Sequence, residues 1–155
     1  MKLRMLAVGA KSPDWVTAGF NDYARRLPRD CPLTLEEIAP ANRKGWPPAR
    51  VLATEADALL ARLKPAEHVV ALDVGGKTCS TERLAQMLDD WRMQGKDVSF
   101  LIGGADGLGQ AVLDRSDQAL SLSAMTFPHQ LVRVLLAEQL YRAWTVLAGH
   151  PYHRA

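Results

Sequence analysis

Cysteine is almost missing from this chain: there are two, Cys31 and Cys79, in 155 residues. They form neither a CxxC pair nor a disulfide framework, which excludes a stapled secreted scaffold and points to a reduced, cytoplasmic protein in which no metal is expected. Long apolar runs are missing too. Residues 1–9 alternate Lys2 and Arg4 with apolar side chains, and the longest run there, about four residues, is too short for a signal-peptide core or a membrane span. No membrane partner is expected. A strong excess of one charge is also lacking, since 19 basic and 17 acidic side chains leave a net +2. Proteins that grip long duplexes by their phosphates usually carry more.

What is present is an ordinary soluble composition, 48% hydrophobic and 23% charged. The length suits one domain, residues 1–155, with a core of its own. The basic residues gather locally as Arg25, Arg26 and Arg29, then Arg43, Lys44 and Arg50, then His150, His153 and Arg154. The first two groups read as solvated surface.

Residues 2–8 have strand composition and end at Gly9. Ser12-Pro13-Asp14 then reads as a helix start, with Ser12 as N-cap and Pro13 at the first helical position. Val16, Phe20, Tyr23 and Leu27 recur at helical spacing. Residues 33–38 form a second strand. Residues 39–48, with three prolines, a glycine and Trp46, read as a loop. A helix over 50–63 stops at Pro65. Residues 68–73 are an apolar strand meeting Gly75-Gly76, and Ser80 opens a helix to about Gln94. A strand over 98–102 meets a glycine loop, followed by a short helix at 110–115 and a short strand at 119–122. Pro128 opens a last helix of roughly twenty residues ending near Gly149. Alternating strands and helices predict an α/β fold with a parallel-type sheet covered on both faces. Ligands in such sheets sit beyond the carboxyl ends of strands, which nominates residues 73–77, 103–107 and 121–128.

Gly75-Gly76-Lys77-Thr78 stands where a phosphate-binding P-loop would, but the glycine required five positions before Gly76-Lys77 is Ala71, inside the strand. A tight turn using glycine's freedom at positive φ is the better reading. Four glycines in residues 103–109 let a backbone approach a ligand closely, although they miss the dinucleotide spacing Gly-x-Gly-x-x-Gly. A strained strand-to-helix turn is the plainer account. Residues 121–129 offer hydroxyls, backbone groups and apolar walls for a ring; as structure alone they are a loop with Thr126 as N-cap.

At about 100° per residue, Val132, Leu136, Ala137, Leu140, Ala143, Trp144 and Leu147 of the last helix fill one arc, with Arg133 in its middle. A buried guanidinium is costly unpaired, so Arg133 should meet a carboxylate, carbonyls, a ligand or another subunit. The opposite arc mixes Glu138, Tyr141, Arg142 and Thr145 with Leu131, Val134 and Leu135; Glu138 and Arg142 are spaced for an i,i+4 ion pair. The end, His150-Pro151-Tyr152-His153-Arg154-Ala155, is either a plain frayed terminus or a device for stacking a base and touching phosphate.

Ile102-Gly103-Gly104-x-x-Gly107-Leu108, the run from Leu122 through Met125-Thr126-Phe127-Pro128-His129, the helix Arg133 to Glu138-Gln139-x-Tyr141-Arg142-Ala143, and Tyr152-His153-Arg154 closely resemble the RlmH family. That family comprises 23S ribosomal RNA pseudouridine-N3 methyltransferases of the SPOUT superfamily. The resemblance covers the whole chain. It implies a SPOUT α/β-knot, with a C-terminal trefoil knot and cofactor cleft within about residues 68–155, one of the rare exceptions to the no-threading rule. It implies that Leu72, Gly103, Gly104, Leu122, Ser123, Ala124, Met125, Thr126 and Phe127 line S-adenosylmethionine. It implies methylation of a helix 69 pseudouridine of 23S rRNA in the assembled ribosome by a homodimer, the site being completed across the subunit interface, where Arg133 would fit. His129 and Glu138 are the candidates for proton handling, Arg142 and Arg154 for orientation or charge, Tyr152 and His153 for holding the base. Gly75 and the pair Ala105-Asp106 depart from commoner residues of the family and put only fine details of the cleft in doubt. The alternative of another class is a non-catalytic, ribosome-associated RNA-binding protein.

Overall fold

The computed structural model describes residues 1–153; Arg154, Ala155 and the side chain of His153 lie outside what it describes. Five segments form strands, β1 (Leu3–Val8), β2 (Leu33–Ile38), β3 (His68–Thr78), β4 (Val98–Ile102) and β5 (Gln118–Ser121). They pair in the order β2-β1-β4-β3-β5, every neighbour parallel. β4 sits in the middle and all five of its residues are buried, the pattern of a strand covered on both faces.

The covering helices are α1 (Asp14–Ala24), α2 (Pro48–Leu60), α3 (Thr81–Met93), α4 (Gln110–Arg115) and α5 (His129–Ala148). Phe20, Leu84, Leu88, Trp91, Leu136 and Leu140 of α1, α3 and α5 pack with Met5 and Phe100 on one face. Ala56, Leu59 and Val112 of α2 and α4 pack with Leu6 and Leu101 on the other. Each large side chain so buried contributes roughly 1.5–3 kcal/mol. The α/β fold with helices on both faces stands as expected.

Leu120 of β5 pairs with Leu72 and again with Lys77, β3 shifting register over the residues between. That double pairing fits a threaded C-terminal segment. It also corrects the tight turn expected at Gly75-Gly76: β3 runs on through both, and neither has a positive φ. What Gly76 supplies is closeness, since a β-carbon there would lie 2.7 Å from the Ala119 carbonyl carbon. Two helix starts differ as well. The N-caps of α1 and α5 are Pro13 and Pro128, with no side-chain cap, so neither Ser12 nor Thr126 caps. Ser80 does cap α3, accepting the Arg83 N–H at 3.0 Å.

At the amino end of the sheet the buried Glu67 carboxylate accepts from the Arg4 guanidinium at 2.7 Å, the Ser99 hydroxyl at 2.6 Å and the Lys64 amide at 2.7 Å. Burial pushes this carboxyl up, but the Lys64 amide, the Ser99 hydroxyl and Arg4 outweigh it and hold it below the usual range. Arg4 also reaches Glu36 at 3.2 Å, so the cluster ties β1 to β2, β4 and the start of β3.

Candidate active site

The register aligns Ala7, Ile102, Leu72 and Leu120 across four neighbouring strands. The three nominated loops therefore leave the sheet along one rim. Leu72, Leu122, Ser123, Met125 and Phe127 line a pocket of about 80 Å³ there, with Val132 of α5 as its floor. Leu122 and Phe127 also border an adjoining cavity of about 380 Å³, walled by Leu84, Leu120, Leu135 and Gln139. The loop after β5 holds its own shape: the Ser121 hydroxyl donates to the Ser123 carbonyl at 2.9 Å, and the Met125 N–H donates to Ser123 Oγ at 3.0 Å. With those groups satisfied, Met125 is left 73% exposed at the mouth and Ala124 and Thr126 face outward. A wider groove of about 780 Å³ between α3 and β5 takes in Gly75, Gly76 and Lys77 of the first nominated segment, but none of the residues expected to bind the cofactor or act in catalysis.

Gly103 follows Ile102, the register partner of Leu72, yet neither it nor Gly104 borders those pockets. A β-carbon on Gly103 would lie 2.4 Å from the Gly107 carbonyl carbon, so this glycine serves the folding of its own loop. Gly107, at φ +77, closes the turn by donating to the Gly104 carbonyl at 3.0 Å. Gly104 faces Val8 and Glu55, toward α2. Asp106 at the tip pairs with Arg43 at 2.8 Å.

His129 opens α5 half-buried, its Nε2 lying 3.3 Å from where a Gly9 β-carbon would be, with Arg133 Nη2 at 3.1 Å from the same point. Arg133 is wholly buried within its own chain; Nη1 donates to Ser12 Oγ and, at 3.2 Å, to Glu37. It is thus met by a carboxylate, one of the partners its position called for. Its Nε and Nη2 have no hydrogen-bond partner among the described residues. Ser12, Glu37 and Gly9 were missed by sequence reasoning, for they are distant in the chain and carry no periodic signal.

Further along α5 the expected ion pair forms, Arg142 Nε to Glu138 at 2.7 Å. Its hydrogen bond to Glu138 raises the Arg142 pKa. Gln139 donates to Glu138 at 3.3 Å and accepts from the Thr81 hydroxyl at 2.7 Å, linking the pair to α3. Tyr141 and Thr145, on the mixed arc of α5, are both buried. Thr145 turns its hydroxyl back to the Arg142 carbonyl at 2.6 Å, and Tyr141 sits among Tyr23, Trp144 and Tyr152.

Tyr152, in the final turn Pro151–His153, rests 4.6 Å from the Tyr141 ring, with the Arg142 guanidinium 5.1 Å above it. Burial, then a hydrogen bond with Tyr23, pushes its phenol up to about 12. The structure so joins Glu138, Arg142 and Tyr152. It separates them from His129, since Tyr141 lies about 18 Å further along the helix at 1.5 Å per residue. Arg154 and the His153 side chain fall outside the described residues.

A rim of loops beyond one end of a parallel sheet, with an apolar pocket among them, has a match among known families. The family model described as "Predicted SPOUT methyltransferase" matches residues 1–153, and the chain belongs to that family. It is 57% identical to the Ribosomal RNA large subunit methyltransferase H of Chromohalobacter salexigens, covering 99% of this chain and 100% of that one. It is 52% identical to the protein so named in Hahella chejuensis, over 99% of each. Among solved structures, TrmJ from Z. mobilis ZM4 aligns with a TM-score of 0.53 at 17% identity, over 93% of this chain and 69% of that one. A probable methyltransferase from Bordetella pertussis Tohama I aligns at 0.54 and 20%, over 91% and 95%. Those two likenesses speak to the fold alone.

Proposed function

We propose that the protein methylates N3 of the helix 69 pseudouridine in 23S ribosomal RNA, within the assembled ribosome, with S-adenosylmethionine as donor. We place it in the cytoplasm as a homodimer whose site is shared between subunits. The observation that carries this reading is the convergence of Leu72, Leu122, Ser123, Met125 and Phe127 on one pocket at the rim. The relatives' shared name, that of a large-subunit ribosomal RNA methyltransferase, supports the substrate class.

The residues present suit this donor. Leu72, Leu122 and Phe127 give a flat ring apolar walls, and exposed Met125 and Val74 stand at the mouth without a partner. When bound, the sulfonium supplies an activated methyl group. The chain's task is then alignment and proton handling. His129, at the rim, takes the N3 proton. Glu138 is already engaged by Arg142, so it orients that guanidinium toward the charge developing on the ring. Tyr152 and His153 hold the base, and Arg154 adds a further cation.

Because Tyr152 packs on Tyr141, away from His129 of its own chain, the tail serves the cleft of a second copy. Exposed Trp15, Val74 and Met125, together with half-buried Leu131 and Leu135 on α5, offer that copy apolar surface. With net charge only +2, free RNA is held weakly by phosphate attraction, and recognition rests on the shape of the ribosome. Mass spectrometry of rRNA from ribosomes incubated with the protein and labelled donor tests this. The expected product is one N3-methylated pseudouridine; unmodified rRNA, with no saturable heat on titrating S-adenosylhomocysteine, returns the protein to the non-catalytic RNA-binding class.

A further inference from the structure

The connection between β2 and α2 lines none of the rim pockets, yet it is built for more than joining two elements. Residues 39–50 hold Arg43, Lys44 and Arg50 and no acid, with Pro40, Pro47 and Pro48 stiffening the backbone. The Arg50 guanidinium stacks on the half-buried Trp46 at 3.8 Å from the ring centroid. The Ala41 N–H donates to buried Glu55 at 3.1 Å, and Arg43 reaches Asp106 of the glycine loop at 2.8 Å. The loop is therefore pre-shaped and moored to the glycine loop.

Its position matters. Val8 pairs with Ile38 and Gly9 donates to the Ile38 carbonyl at 3.0 Å, so the loop leaves the sheet at the same end as the three rim loops. Arg50 lies in the first turn of α2, where there is no acidic residue. A cation at the positive end of a helix is unfavourable by itself, and a nearby anion relieves it.

We propose that this loop docks backbone phosphates of the RNA whose base enters the cleft; the inference rests on the reading above that the substrate is ribosomal RNA. Lys44 and Arg50 contact phosphate, Trp46 fixes the plane of Arg50, and Arg43 holds the loop against the glycine loop. Stiff cationic and aromatic groups of this kind track a single strand without reading its sequence.

The test uses K44A/R50A in the full chain. We expect the KM for ribosomes to rise about tenfold, with a salt slope shallower by roughly one to two. Turnover at saturating ribosomes, the S-adenosylhomocysteine binding heat and the thermal midpoint stay as in the wild type. An unchanged KM and slope overturns the proposal. So does a lost binding heat, which would assign the loop to the cofactor, or an altered oligomeric mass, which would assign it to contacts between copies. Ribosome co-sedimentation separates this inference from the reading beneath it. A wild type that pellets with ribosomes but methylates nothing defeats the methylation reading alone, and pelleting that K44A/R50A leaves undiminished defeats this one.

Discussion

Two titrating side chains make opposite demands on pH. Glu67 is held below its ordinary pKa, so its contribution is complete above the unfolded value, about 4.3, and disappears as pH falls through the folded one. Glu67→Gln leaves Arg4 half-paired and should cost about 1.5–3 kcal/mol at pH 7, the range of hydrogen bonds to charged groups. In urea unfolding that gap should narrow as pH falls below the unfolded value of about 4.3; a constant gap would show that packing, not charge, is lost. Tyr152 is the reverse case, with its phenol raised to about 12. Its stabilisation is intact below pH 10 and fades between 10 and 12, so Tyr152→Phe should flatten the fall in Tm over that window. Single residues were the hardest scale to read from sequence. Helical geometry alone put Arg133 among apolar neighbours and demanded a partner, but Ser12 and Glu37 come from segments about a hundred positions away, which no periodicity links to α5.

Elements were far more legible, because burial on both sheet faces imprints apolar runs and α1, α3 and α5 imprint their spacing. The glycine pair in β3 was misread for a physical reason: composition registers a missing β-carbon but not whether the need is torsional or steric. Two matched substitutions separate these. A β-carbon on Gly76 meets the Ala119 and Leu120 backbone at 2.7–2.8 Å, whereas one on Gly75 meets only an Asp73 carboxylate oxygen at 3.1 Å. Gly76→Ala should abolish the S-adenosylhomocysteine titration heat and lower Tm, while Gly75→Ala should leave both nearly unchanged. Equal effects would mean that the crossing of β3 and β5 tolerates more space than this geometry gives.

For the whole molecule, the sequence carried the layer order and the rim, whereas the motif resemblance carried the cofactor and substrate expectations. Neither told which parts of the site one chain can assemble alone, since that depends on how far α5 carries the tail. The shared-site reading predicts complementation. Subunits disabled in the cleft by Gly76→Ala and subunits disabled in the tail by Tyr152→Ala should be inactive apart and regain up to about a quarter of wild-type turnover when co-refolded, as random pairing yields one intact site in half of the dimers. No recovery would sink it.

Placing Tyr152 on its own Tyr141 has a further result for dosage. On the proposed shared site, a catalyst assembled from two incomplete halves would lose specific rate on dilution, with output falling toward the square of enzyme concentration below the dissociation constant, so a cell making little of it would modify its ribosomes disproportionately slowly.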